Sequence, residues 1–203
     1  ALLWIGWFGF NGGSALASNG LAANALVVTH ISAAMAAAVW GLISWLDTGR
    51  VSVLGLISGG VAGLVAITPA AGFVNPTGAL FIGLGAAVVC YGGILLRKRL
   101  GFDDALDVWG VHGLGGTFGA IATGLFATTT VNAAGKDGLL YSGGGDLLVA
   151  QLISVAVVWA FAFGATFVIL KVLSKVMPLR MTKNEERIGA DIIQHGESAY
   201  YLR

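Results

Sequence analysis

An all-α, polytopic membrane helical bundle is the fold class this sequence predicts, and three observations predict it. The 203 residues are 57% hydrophobic and only 10% charged, where a soluble domain carries about 25% charged residues. Long apolar stretches alternate with short polar breaks built from Gly, Asn, Asp, Pro and Arg. The cations fall almost wholly on one side of those breaks. A soluble domain is thereby excluded. Cys90 is the only cysteine and lies inside an apolar run, so neither a disulfide framework nor a metal cluster is expected. No cofactor, nucleic-acid partner or enzymatic activity is expected either.

Residues 1–17 form the first apolar segment, closed by Ser18-Asn19-Gly20. It starts without an initiator Met or a basic leader, so the chain is expected to begin inside a helix. The second segment, 24–46, is alanine-rich, carries His30 and ends at Asp47-Thr48-Gly49-Arg50. In the third, 51–70, Gly55, Gly59 and Gly63 recur every four residues as a close-packing stripe. The break from Thr68 to Pro76 leads into the fourth, 77–96, closed by Arg97-Lys98-Arg99. The fifth, 103–127, is uncharged for twenty residues from Val108, enough for about 30 Å of helix. Its Gly110, Gly113, Gly115, Gly116 and Gly119 should strip one side for close helix contact. A glycine-rich link, 128–145, precedes a sixth segment, 146–176, that exceeds one bilayer thickness.

Residues 1–176 are therefore expected as a six-helix transmembrane domain and 177–203 as a cytoplasmic tail. With six spans, Arg50, Arg97-Lys98-Arg99 and the six cations from Lys171 to Arg203 share one face of the membrane, and only Lys136 lies on the other. Ten cations against one place the C-terminus in the cytoplasm.

Two constellations could carry chemistry. His112 is a titratable ring inside a membrane span, which is a functional candidate by default; the alternative is a bundle histidine bonded to a carbonyl. A neutral imidazole has one donor and one acceptor nitrogen and can pass a proton. Trp7, Phe10 and Ser14, at i, i+3 and i+7, share one helix face. An aromatic face attracts a cation and a hydroxyl accepts a hydrogen bond from an ammonium-type group, although packed or interfacial aromatics show the same spacing. The charge rule puts Ser14 near the outer mouth and Phe10 deeper. His30 reads as a packing or interhelical residue outside the site. Asp103, Asp104 and Asp107 stand where the fifth helix begins and are expected to cap it, Asp107 lying deepest with a structural hydrogen-bond role.

At these residues the sequence resembles the ammonium transporter family, the bacterial and archaeal relatives of the Rhesus proteins. Trp4 to Ser14, Trp-Ile-Gly-Trp-Phe-Gly-Phe-Asn-Gly-Gly-Ser, resembles that family's sixth transmembrane helix, and Asp107 to Gly113, Asp-Val-Trp-Gly-Val-His-Gly, its tenth. Gly63 to Gly72 and His195 to Tyr200 also resemble family patterns, in the right order, so the likeness runs over nearly the whole chain.

The resemblance implies a homotrimeric channel-like transporter in the cell membrane, with two inverted five-helix repeats, a final long helix and a pore in each subunit. This chain would hold helices six to eleven: the second repeat plus the long last helix. By the resemblance His112 is one of two paired pore histidines and relays a proton. Phe10 is a ring of the outer gate, Ser14 a hydroxyl of the outer ammonium site, Trp7 a pore-lining residue and Asp107 a structural aspartate below the histidine. It implies ammonium or ammonia as substrate, methylammonium as a candidate analogue, and a PII-type regulator at the tail.

Ammonium and potassium are similar in size, but only ammonium can lose a proton. An apolar lumen rejects both dehydrated ions and passes ammonia. The alternative function is a membrane sensor that reports ammonium to a cytoplasmic partner. Because inverted-repeat transporters place the pathway between their halves, residues 1–203 alone are expected not to conduct.

Overall fold

The computed structural model describes residues 1–142 and 144–200, and every regular element among them is helical. Helix α1 spans Leu2–Gly13 and stops short of residue 17, because the chain turns there and Leu16 takes a left-handed φ of 54°. Helix α2, Gly20–Thr48, begins earlier than residue 24: Asn19 accepts a hydrogen bond from Ala22 N at 3.1 Å and caps it, and Gly49 ends it at φ 74°. Ser52 caps α3, Val53–Ile67, through Gly55 N at 3.0 Å. This helix ends before residue 70, since Thr68 N closes a tight turn onto Val65 O and Pro69 has no N–H to continue.

Asn75 caps α4, Pro76–Leu100, through Gly78 N at 2.9 Å, with Pro76 in the first turn. The Arg97-Lys98-Arg99 cluster forms the last turn of α4 instead of following it, which suits cations at the negative end of the helix dipole. A π turn, Trp109–Gly113, then leads into α5, Leu114–Phe126. The short α6, Leu139–Ser142, precedes α7, Asp146–Leu173. In the tail α8, Lys183–Ile188, carries a capping box between Thr182 and Glu185, and a second π turn covers Asp191–His195.

Packing divides the chain into two compact units, Ala1–Ala156 and Val157–Arg203. In the first, α2 is the central helix. The expected glycine stripe of α3 lies against it: Gly55 and Gly59 meet Trp40, and Gly63 meets the backbone of Ser32 and Ala33. Gly83 of α4 also presses on Ser32, whose Oγ donates to Gly63 O at 2.9 Å. Of the five glycines expected to strip the fifth segment, Gly110, Gly115, Gly116 and Gly119 face other helices, with Gly119 set directly on the Ala66 carbonyl of α3. Gly113 meets only Trp109 of its own turn. The second unit holds the rest of α7, which has no buried residue, and the tail helix.

Among the described residues three helices are each long and apolar enough to cross a membrane: α2, α4 and α7. Six such segments were expected; α3, at 15 residues, rises only about 22 Å as a helix. The shortfall is local. α1 and α3 both stop near the same end of the bundle, and a recess lies where they stop.

The two ends are fixed by side-chain bonds. Tyr91 Oη donates to Asp47 Oδ2 at 2.6 Å, which ties the C-terminal parts of α4 and α2 together, beside Arg50 and the α4 cluster. At the other end Asn24 Nδ2 donates to the carbonyls of Ala71 and Val74 at 3.3 and 3.1 Å, and Thr128 N to that of Phe73 at 2.8 Å. Lys136 lies at this second end, beside Phe73.

Candidate functional site

The aromatic spacing on α1 becomes a row in space. Trp7 and Phe10 rings meet edge to face with centroids 6.1 Å apart, and the Trp7 indole stacks on the His112 imidazole at 6.5 Å with 28° between their planes. Trp7 Nε1 donates to Thr68 Oγ1 at 2.7 Å, and that hydroxyl donates in turn to Leu64 O. The indole is thus anchored to the last turn of α3. Below the same face, the buried Asn11 donates from Nδ2 to Thr29 Oγ1 at 2.9 Å, which pins α1 to α2. These two long-range bonds fix the rotation of α1 and so the direction its aromatic face takes.

The recess at the short ends of α1 and α3 has a volume of about 340 Å³. Phe10, Asn11 and Ser14 line it from α1, Thr68 and Phe73 from the end of α3 and the following link, and Asn132 from the loop after α5. Ser14 Oγ donates to Phe10 O at 2.8 Å and remains exposed at the recess, where a hydroxyl oxygen can also accept a hydrogen bond. Phe10, 62% exposed, lines the recess and touches Trp7. Ser14 stands two turns above Trp7, so His112, at the level of Trp7, is roughly 10 Å further along the axis. Neither Trp7 nor His112 lines the recess; Phe10 connects it to them.

His112 sits in the π turn, where Leu114 N donates to Trp109 O and one extra residue bulges from the helix. Such bulges recur at functional sites. Cys90 Sγ lies beneath, 3.7 Å from Val111 O, and is fully buried. Among the described residues no group of His, Cys, Asp and Glu could hold a metal.

Of the three aspartates, Asp104 does the capping: its carboxylate accepts from Val108 N at 2.9 Å and Trp109 N at 2.8 Å. Asp107 does not cap with its side chain. It takes φ 54° and pairs with Arg97, 3.0 Å from Nη2 to Oδ1, at the end of α4. It stands apart from the row of Trp7, Phe10 and Ser14. His30 lies against Trp4 and Phe8, with ring centroids 5.6 and 5.9 Å away, on a different side of α1. Thr68, Asn11 and Arg97 are not read as site residues from sequence. Thr68 stands in the Ile-Thr-Pro stretch that closes α3, which was the one signal that could have found it.

The family profile described as "Ammonium Transporter Family" matches residues 1–200. The chain is 51% identical to the ammonium transporter of Bacillus subtilis, covering 98% of this chain and 50% of that one. It is 50% identical to "Ammonium transporter Amt1" of Archaeoglobus fulgidus, again over 98% of this chain and 50% of the relative. Among solved structures, Saccharomyces cerevisiae Mep2 superposes with a TM-score of 0.81 at 36% identity, covering 87% of this chain and 41% of that one. A structure titled "Sensor Amt Protein" superposes at 0.83 with 31% identity, over 94% of this chain and 46% of that one. The chain spans about half the length of the curated relatives it matches. It is a multi-pass membrane protein, and it belongs to the Ammonium Transporter Family.

Proposed function

We propose that this chain supplies one wall of a conduit that takes up ammonium and passes it across the cell membrane as ammonia, with no enzymatic chemistry. The observation that carries the reading is the unbroken row from the Ser14 hydroxyl through Phe10 and Trp7 to the His112 imidazole. Each member suits a successive need. Ser14 accepts a hydrogen bond from ammonium at the outer recess, and the Phe10 and Trp7 faces attract the cation through their quadrupoles. Phe10 then gates. Below it the surroundings are aromatic and apolar, where a bare ion is costly and a neutral molecule is not. His112, paired with a second pore histidine, holds ammonia and relays the proton. Asp107 is structural, below the histidine.

The working protein is a homotrimer. Residues 1–176 make up its transmembrane part, and residues 177–203 are a cytoplasmic tail that meets a PII-type regulator. Methylammonium, which keeps the hydrogen-bond donors, is the natural probe substrate.

The test is ammonium-evoked flux in proteoliposomes carrying the full-length protein. His112→Ala should abolish ammonium flux or its selectivity over potassium while assembly is kept. Ser14→Ala should weaken recruitment by about 1 kcal/mol, one hydrogen bond, and Phe10→Ala should change the passage rate more than the affinity. Unchanged flux and selectivity in His112→Ala would overturn the reading. The likeness to the sensor structure favours a second reading, in which the same site reports ammonium to a partner. Ammonium-dependent partner binding without flux would select it.

A further inference from the structure

We propose that Arg97 is a positioning residue for His112: it holds Asp107 in the left-handed conformation that starts the π turn carrying the imidazole. The inference rests on the reading of His112 as a transport residue. Asp107 and Leu16 are the only non-glycine residues with positive φ among those described. A side chain there is strained, and aspartate bears it better than most but not without support.

The support is visible on three sides. Asp107 N donates to Asp104 O at 3.3 Å, and Asp107 O accepts from Val111 N at 2.9 Å. Its carboxylate lies 3.0 Å from Arg97 Nη2. The two backbone bonds stay within one loop, so among the described residues the ion pair alone ties Asp107 to another helix. Arg97 is itself well placed to serve as the anchor. It sits in the last turn of α4, its carbonyl accepts from Gly101 N at 2.9 Å, and Nη1 reaches the Phe102 carbonyl at 3.5 Å.

The pair is one of charge more than of directed hydrogen bonding. Asp107 Oδ1 and Arg97 Nε are buried atoms without a hydrogen-bond partner, despite the short Nη2 to Oδ1 approach. No other donor therefore stands in for Arg97 at that oxygen. The neighbouring Asp104 cannot relieve the need, because its carboxylate is acidic too and is spent on Val108 N and Trp109 N.

What Asp107 fixes is the direction in which the chain enters the π turn. Val111, bonded to Asp107 O, is buried, and His112 follows it directly. A change of φ at position 107 must rotate this turn and swing the imidazole away from the Trp7 indole.

The test uses glycine, which adopts positive φ without a clamp. Arg97→Gln, Asp107→Gly and the double variant are made in the full-length protein and read in two ways. One is the ¹⁵N shift of the His112 imidazole in selectively labelled protein in bilayers; the other is ammonium flux. Arg97→Gln should move the His112 signal and cut flux roughly tenfold, as loss of a support for a strained residue implies. Asp107→Gly should leave both close to those of the unmutated protein, and in that background Arg97→Gln should have no further effect. If Arg97→Gln does not assemble, Arg97→Met, which removes the charge and keeps the length of the side chain, is carried through the same pair of backgrounds with the same expected outcomes. An unmoved His112 signal in Arg97→Gln, or an equal effect of losing Arg97 with Asp or Gly at position 107, would overturn the proposal. A signal that moves and is restored while flux never changes would keep the positioning role and refute the transport role of His112.

Discussion

Replacing Gly63 with alanine should destabilise the bundle, and the structure sets the size of the effect. A methyl group there would lie 2.5 Å from Ser32 O and 2.7 Å from the Ala33 Cα, where ordinary contact begins at 3.4 Å. Both neighbours are backbone atoms, so no side chain can turn aside, and α3 must part from α2 by about 1 Å. Overpacking of this kind costs about 1–3 kcal/mol. Parting the helices also stretches the 2.9 Å bond from Ser32 Oγ to Gly63 O, for about 1 kcal/mol more. Alanine returns roughly 1 kcal/mol through its better helix propensity. The net loss is about 1–3 kcal/mol, the overpacking share. Equilibrium unfolding of the full-length protein in mixed micelles, followed by tryptophan fluorescence, measures it. Ser32→Ala removes only the hydrogen bond and is the control. The reasoning fails if Gly63→Ala costs no more than Ser32→Ala.

Trp7→Phe should cost about 1 kcal/mol in the same assay, the worth of its bond to Thr68 Oγ1, since that hydroxyl keeps its own bond to Leu64 O and nothing is orphaned. Asp137, whose carboxylate accepts from Thr129 N at 2.7 Å and from its hydroxyl, is held below its ordinary value of 3.8, first by the backbone donor and then by the hydroxyl. A folded pKa that is lowered stabilises the loop above the ordinary value, and this is lost as pH falls through the lowered one. Protection of the Thr129 amide, measured by its exchange relative to the intrinsic rate at the same pH, should therefore fall only in acid, and Asp137→Asn should lower it at neutral pH. In a Cys90→Ala background, Lys136→Cys should react with an impermeant thiol reagent on intact cells and Arg50→Cys only after permeabilisation; the reverse pattern would invert the proposed topology.

The helices were legible because their ends are written in side chains that act locally. Asn19, Ser52 and Asn75 each cap the helix that follows, and Gly49 and Gly101 each close the one before. The glycine stripe of α3 was legible for a similar reason: a repeat of four residues keeps a helix face. The helix lengths were less so. Composition alone extends α1 and α3 toward a full span, and only the turn of Thr68 N onto Val65 O and the positive φ of Leu16 stop them. Those early stops are what open the recess beside Ser14. The basic cluster was misplaced for a different reason. Charge suggested an aqueous break after the helix, whereas the helix dipole favours cations within the last turn.

The site divides along the same line. Spacing i, i+3, i+7 is a local property, so Trp7, Phe10 and Ser14 could be aligned on paper; the turn of that face toward His112 depends on Thr68 and Thr29, which lie 61 and 18 residues from their partners on α1. The π turn is further from view. Nothing in Trp-Gly-Val-His-Gly distinguishes it from an ordinary helical turn, and three aspartates ahead of it read alike as caps. The structure gives them different work, because Asp104 can reach two free amides while Asp107, at positive φ, turns toward Arg97. A cation that looked like a membrane boundary is thereby joined to the residue from which the π turn carrying His112 departs. Local pattern can align candidate groups on one helix face, but the angle at which that face meets the rest of the bundle is set by contacts that the linear sequence keeps apart.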